Sequence, residues 1–367
     1  HQQRPQLVVA VIGCMAQRLG QQLLDDYRQV DIVCGPGQLH HFSSMLAEVL
    51  DRRRQMLSLN DPQETDNLEI LDSKRDTEEM DRPFSAFVRV MRGCNKYCHY
   101  CVVPYVRGPE QSRPIRHIVA ETRRLAENGV KEITLLGQTV NSYRFKEGGK
   151  TWGLADVLSQ IHDIEGLERI RFVTSYPRDF DERILRAMAD LPRVCEYLHI
   201  PAQSGSNRIL KAMNRNYSVE AYLDLIEKAR ELVPGITIAG DFIVGYCGET
   251  DADFLATKEL MRKVRYKNCF IFKYSPRPGT RAAAKMADDV PEVIKKQRNT
   301  ELLALQNEIA FEDNQKLVGL PVEILVEGAS KKPHLDSTEE VAEADAECTI
   351  NYYEAKNSDT IQLTGRT

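Results

Sequence analysis

The sequence predicts an α/β protein whose main body is a parallel β-barrel or an incomplete one. Two observations carry this. Six short runs rich in Val, Ile, Phe and Thr recur between residues 85 and 275, and helical patterns separate most of them. A shorter strand–helix alternation precedes them, from residue 7 to residue 50. Parallel strands need crossovers of about a dozen residues, and helices usually supply them.

In order, "LVVAVIGC" (7–14) reads as a buried strand, "MAQRLGQQLLDDY" (15–27) as a helix, "VDIVCG" (30–35) as a strand and "QLHHFSSMLAEVL" (38–50) as a helix. This layer starts in a strand, so upstream elements of it are expected outside the chain. Residues 52–83 are polar and acidic without periodicity and read as a linker. The six strands are then "SAFVRVM" (85–91), "EITLLG" (132–137), "IRFVTS" (170–175), "YLHIPA" (197–202), "TIAGDFIVG" (237–245) and "NCFIFKYS" (268–275). Between them, "IRHIVAETRRLAENG" (115–129) stops at Gly129, and 218–233 sets Val219, Tyr222, Leu223, Ile226, Ala229 and Val233 on one face. Pro291 opens a long helix that runs to about Lys316. "PVEILVEG" (321–328) begins a last β unit, and "IQLTGRT" (361–367) sits where another strand should pair.

The 367 residues suit two or three domains. A hydrophobic fraction of 42% and a charged fraction of 28% belong to a soluble globular protein. No run approaches the ~20 apolar residues of a membrane helix. The opening "HQQRPQLVVAVIGCMAQ" has no export signal pattern. Nine scattered cysteines in such a chain favour thiols or metal ligands in a reducing cytoplasm over disulfides. Net charge is −5, so any nucleic acid must be held by a local basic patch.

The chemistry concentrates in "MRGCNKYCHYCVVPYVRG" (91–108), directly after the first barrel strand. In parallel barrels the active face lies at the C-terminal ends of the strands. Cys94, Cys98 and Cys101 supply three thiolate ligands, where thiolate sites for zinc or iron–sulfur clusters usually take four. A [4Fe–4S] cluster bound here would keep one iron free for a substrate or cofactor. A zinc site completed by a histidine such as His99, in a non-catalytic RNA-binding protein, is the alternative from another class.

The segments "RGCNKYCHYCVVPYVRGPEQSRP", "LLGQTVNSY", "LHIPAQSGSNRILKAMNR", "DFIVGYCGET" and "FKYSPRPGTRAA" resemble the methylthiotransferase family of radical S-adenosylmethionine (SAM) enzymes, and within it the MiaB-type members. The resemblance runs from about Leu7 to Gly328. It implies a radical SAM partial (β/α)6 TIM-like barrel over 84–317. An incomplete, flavodoxin-like methylthiotransferase domain over 1–51, the linker 52–83 and a partial C-terminal TRAM β-barrel over 318–367 complete the implied organisation. It implies that SAM chelates the free iron and is cleaved to a 5′-deoxyadenosyl radical.

By the same resemblance Cys94, Cys98 and Cys101 ligate the radical SAM cluster. Tyr100, Gly137, Gln138, Gln203, Ser204, Gly205, Asp241, Gly245, Gly248 and Glu249 surround the cofactor, the glycines allowing close backbone approach. Cys14 matches the third ligand of an auxiliary [4Fe–4S] cluster, whose other two cysteines are not in this chain. Cys247 replaces a commoner proline and is not read as a ligand. Cys34, Cys195 and Cys269 read as small buried hydrophobes. Arg107, Arg113, Arg116, Lys331 and Lys332 are expected to track RNA phosphates. The implied reaction converts N6-isopentenyladenosine at tRNA position 37 to its 2-methylthio form. One SAM methylates a sulfur at the auxiliary cluster, and a second supplies the radical. Threonylcarbamoyl-adenosine or a ribosomal-protein aspartate are the sister substrates. The implied partners are the tRNA anticodon stem-loop and an electron donor such as flavodoxin or ferredoxin, acting on a monomer.

Overall fold

The computed structural model describes residues 6–60, 84–329 and 363–366. The N-terminal layer has the order β1 (Ala10–Ile12), α1 (Cys14–Leu19), α2 (Gln21–Asp26), β2 (Ile32–Cys34), α3 (Phe42–Arg52) and β3 (Met56–Ser58). Its three strands are parallel in the order β1-β2-β3. Two sequence expectations change here. The helix expected over 15–27 is two, because Gly20 takes φ 50° and breaks it. The segment read as a linker begins with β3, which pairs with β2 in register Val33–Leu57. Three residues are too few to show an alternation in sequence. The rest of that segment, 61–83, lies outside the described residues.

The second unit opens with β4 (Ser85–Arg89), β5 (Met91–Arg92), α4 (Val103–Arg107), β6 (Gln111–Ser112), α5 (Ile115–Glu127) and β7 (Glu132–Leu136). A hairpin of β8 (Arg144–Glu147) and β9 (Lys150–Gly153) follows, then α6 (Leu154–His162) and β10 (Arg169–Phe172). The series continues with α7 (Glu182–Asp190), β11 (Tyr197–His199), α8 (Asn207–Ala212), α9 (Val219–Leu232), β12 (Thr237–Val244), α10 (Asp251–Val264) and β13 (Asn268–Lys273). All six expected barrel strands are present. β4-β7-β10 and β11-β12-β13 form two parallel sheets. Ile170 joins them, accepting from Cys195 N–H at 2.9 Å and donating to Arg193 at 2.7 Å. The spatial order thus follows chain order, as right-handed crossovers require.

The strands bury Val88, Ile133, Leu135, Ile170, Phe172, Leu198, Phe242 and Val244 against the surrounding helices. Burying each large side chain contributes about 1.5–3 kcal/mol. On α9, Tyr222, Ile226, Ala229 and Val233 are buried, and Val219 and Leu223 pack beside them, as the 3.6-residue pattern requires. The buried tyrosines keep hydroxyl partners. Tyr222 Oη donates to Ile200 O at 2.9 Å, and Tyr266 Oη to Tyr222 Oη at 2.8 Å. Beyond β13 come α11 (Arg281–Lys285) and α12 (Glu292–Gln315), which starts after Pro291. α12 covers the edge strand, Asn299 Nδ2 donating to Ile271 O at 2.8 Å. β14 (Leu325–Ala329) pairs antiparallel with β15 (Leu363–Arg366). No helix among the described residues is long and apolar enough to cross a membrane.

Candidate functional site

The three-cysteine loop leaves the C-terminal end of β4 and is closed at its base by the antiparallel pair β5–β6. Gly93 turns it with φ 72°, and a Cβ there would lie 1.9 Å from Pro109 O, so only glycine fits. Cys94 N–H donates to Gly108 O at 3.1 Å, and Cys101 N–H to Cys98 O at 3.0 Å. Cys94 and Cys98 are buried and Cys101 half-buried. Burial first, then the neighbouring Cys98, Glu110 and Cys101, push the Cys94 thiol up to about 11. Burial raises Cys101 in the same way, and Cys98 adds to it. Among the described residues no three His, Cys, Asp or Glu side chains already converge as a finished metal site. Lys96 staples the loop, reaching Asp179 Oδ2 at 2.5 Å and Glu110 Oε1 at 3.3 Å. Thr139 Oγ1 donates to the same Glu110 oxygen at 2.9 Å.

A second wall comes from residues 212–217, over a hundred positions away. His99 N–H donates to Met213 O at 3.0 Å, and Asn214 Nδ2 to Tyr97 O at 3.0 Å. His99 Nδ1 lies 2.8 Å from Ala212 O, which fixes that nitrogen as the protonated one and turns the ring to the wall. Arg215 is buried, and its Nη1 sits 3.4 Å from Cys98 Sγ.

Beside the loop lies a cavity of about 310 Å³, lined among others by Tyr100, Gln203, Asp241, Ile243, Phe272 and Arg277. It opens at the strand ends where β12 and β13 pair Ile243 with Phe272. Gln203 takes a positive φ of 70° and bridges to β12, its N–H donating to Asp241 O at 2.8 Å. Asp241 Oδ1 accepts from His199 Nε2 at 3.0 Å, and His199 Nδ1 accepts from Thr174 N–H at 3.1 Å. The imidazole tautomer is thus set from both sides.

Other sequence-predicted residues stand further back. Gly137 faces Met91, and a Cβ there would come within 2.6 Å of its Cγ. Next to it, Gln138 Oε1 is buried without a partner. Ser204 is buried 3.4 Å from Thr257 Oγ1, and Gly205 N–H donates to the same hydroxyl at 2.9 Å. Glu249 is buried. It accepts from Gly245 N–H at 2.6 Å and from Arg298 Nη1 at 2.7 Å, so it holds the 245–249 turn rather than lining the cavity. The close approaches at Gly137, Gly205 and Gly245 are to the chain itself, not to open space. Gly248 has a positive φ of 75° and nothing closer than Arg208 Nη1 at 3.9 Å.

Cys14 opens α1, and its Sγ lies 3.3 Å from Arg107 Nε. Arg116 is exposed and pairs with Glu147. Arg113 does not face solvent. Its Nη1 bonds Glu121 Oε2 at 2.7 Å and Arg89 O at 2.6 Å inside the barrel wall, which removes it from any RNA path. Lys331, Lys332 and Cys348 lie outside the described residues. Cys34, Cys247 and Cys269 are buried among apolar side chains. Cys195 is half-buried beside Arg171. Sequence reading missed Arg215, His199 and Arg277. All three stand inside quoted motifs, but only contacts across the fold reveal them.

Residues 88–261 match the model of the radical SAM superfamily. A tRNA-2-methylthio-N(6)-dimethylallyladenosine synthase of Rhodopirellula baltica is 49% identical over 335 residues, 89% of this chain and 70% of that protein. The chain belongs to this family. Synthases of the same name from a Thermoanaerobacter species and from Acetivibrio thermocellus are each 44% identical, over 89% and 90% of this chain and 68% and 67% of theirs. Among solved structures, coproporphyrinogen III oxidase of Escherichia coli, a radical SAM enzyme, superposes with TM-score 0.46 at 18% identity, over 68% of this chain and 56% of that one. Radical SAM enzymes use a [4Fe–4S] cluster and SAM. The site residues fit these groups in two respects. Three free thiols within eight positions of one loop are a soft donor set with one ligand too few to close a cluster's shell. The orphaned acceptor Gln138 Oε1, after β7, awaits a donor.

Proposed function

We propose that this protein is a radical SAM methylthiotransferase that converts N6-isopentenyladenosine at position 37 of tRNA to 2-methylthio-N6-isopentenyladenosine. The observation that carries this reading is the adjacency of the Cys94–Cys98–Cys101 loop to the cavity of Tyr100, Gln203 and Asp241 at one end of the parallel strands. An aromatic C2–H is not acidic enough for a side-chain base, so a hydrogen atom must be removed. When bound, the clusters and SAM supply the methylthio group and the 5′-deoxyadenosyl radical that does this. Cys94, Cys98 and Cys101 hold the cluster. Tyr100, Ile243 and Phe272 keep water from the adenosine, Asp241 and Gln203 bond its polar edge, and Gln138 accepts from the amino group of SAM. Ser204, Gly205, Gly245, Gly248 and Glu249 shape the strand ends beneath. Cys14 is a ligand of the auxiliary cluster.

The domain division follows the same reading: a methylthiotransferase layer, the radical SAM barrel and a TRAM unit that starts at β14. Exposed Arg277, which lines the cavity, and exposed Arg107 contact phosphates of the anticodon loop, and Lys331 and Lys332 are assigned to the same task from sequence alone. A loop base is reachable without opening a duplex. An electron donor such as flavodoxin or ferredoxin feeds the cytoplasmic monomer. Nucleoside mass spectrometry of tRNA from cells with and without the gene tests the reading. Loss of the 2-methylthio nucleoside and accumulation of the isopentenyl form is expected. Unchanged tRNA would refute it.

A further inference from the structure

We infer that Arg215 is a positioning residue for the cluster, a fixed cation that raises its reduction potential through Cys98. The inference rests on the reading that Cys94, Cys98 and Cys101 hold a [4Fe–4S] cluster. Arg215 is 8% exposed, and each of its three guanidinium nitrogens has a partner inside the fold. Nη1 points at Cys98 Sγ at 3.4 Å, Nη2 donates to Pro201 O at 3.2 Å, and Nε donates to Tyr217 Oη at 3.0 Å. Two rings clasp the guanidinium. Its carbon lies 4.6 Å from the centroid of Tyr176 and 5.1 Å from that of Tyr217. No carboxylate bonds it among the described residues, so its charge has no counter-ion except the sulfur it faces. A buried cation without a carboxylate is costly unless an anion completes the site. A cluster held by three thiolates is that anion.

The consequence is electrostatic. Reduction adds a negative charge to the cluster, and potentials follow net charge, hydrogen bonds to sulfur and solvent exposure. A cation at this distance favours the reduced state, and in a water-poor site its effect is little screened. Arginine suits the place better than lysine. Its planar fork serves the sulfur, a carbonyl and a hydroxyl together. Through Pro201 O, and through Tyr217 Oη, which donates to Ala202 O at 2.8 Å, the same group fixes the segment that leads to Gln203 at the cavity.

The test uses the reconstituted full-length enzyme and its Arg215→Lys, Arg215→Gln and Arg215→Met variants. Iron and sulfide are counted, and the fraction of reduced cluster is followed by electron paramagnetic resonance in a redox titration without tRNA. Arg215→Met and Arg215→Gln are expected to load iron like the parent, yet to show a reduced-to-oxidised ratio roughly tenfold lower at the same poise, equivalent to about 59 mV. Arg215→Lys should stay within about threefold of the parent. Parent-like potentials in loaded Arg215→Met and Arg215→Gln would overturn the inference. If neither neutral variant retains iron, Arg215→Lys decides, and a tenfold fall in that variant overturns the charge assignment. A parent enzyme that holds no cluster would refute the functional reading instead.

Discussion

The ion pair of Glu249 and Arg298 gives the sharpest stability test of the site's scaffold. Arg298→Met removes the guanidinium and keeps most of the volume. The side chains of Glu249 and Arg298 are only 1% and 6% exposed, so the remaining carboxylate could not be rescued by water. Breaking a buried pair from one side costs about 3–5 kcal/mol. The second partner of Arg298, Asp251, is 92% exposed and adds little. At roughly 2–4 °C per kcal/mol for a domain of this size, the melting temperature should fall by roughly 6–20 °C. The sign of the pH dependence follows from the carboxyl. Burial already pushes the Glu249 acid up, against the pull of Gly245 N–H and Arg298. Without Arg298 it rises further, so the folded variant binds a proton more readily than the unfolded chain. Its stability then falls as pH rises through that raised value, and the deficit against the parent shrinks toward acid pH. Anaerobic thermal melts of both proteins at several pH values measure this. A variant that melts within about 2 °C of the parent at every pH would refute the reasoning.

Two further outcomes are expected. Asp253→Asn should destabilise the barrel by about 2–3 kcal/mol, because the 9%-exposed carboxylate accepts from Arg208, from Ser206 Oγ at 2.6 Å and from Thr250 Oγ1 at 2.6 Å. Burial alone would raise this acid, but those donors hold it well below the usual carboxylate range. Its contribution is therefore present above about pH 4 and lost as pH falls toward the depressed folded value, which urea titrations across pH would reveal. Iron counting on the full-length enzyme should find two [4Fe–4S] clusters, and the triple variant Cys94→Ala, Cys98→Ala, Cys101→Ala should keep one and form no 5′-deoxyadenosine. A single cluster in the unaltered enzyme would contradict the role of Cys14.

The barrel was legible because each strand is a compact β-branched run and each crossover has a helical period. The six strands and the buried face of α9 follow directly. The cysteine loop was legible because thiol chemistry depends on spacing within eight positions. What failed to show was short or distant. β3 has three residues, and the split at Gly20 needed a positive φ that sequence does not display. The "KEGGKT" turn between β8 and β9 did carry a readable hairpin signal, the paired Gly148 and Gly149. Arg113 resembled a surface cation because arginine is mostly exposed, but Glu121 on α5 draws it into the wall. Arg215 and Cys98 are separated by 117 residues, and His199 and Asp241 by 42. Pairings of that range belong to the tertiary fold, so each partner can stand in its own motif while the bond between them stays hidden.

The central claim is that the cysteine loop and the adjoining cavity act on isopentenylated adenosine. The most direct measurement incubates the reconstituted full-length enzyme with SAM, a reductant and tRNA that either carries or lacks the isopentenyl group, and quantifies the 2-methylthio nucleoside by mass spectrometry. Burying the apolar tail is worth a few kcal/mol at ~25 cal/mol per Å², so the isopentenylated tRNA should react at least about tenfold faster. Equal rates on the two tRNAs would contradict the account.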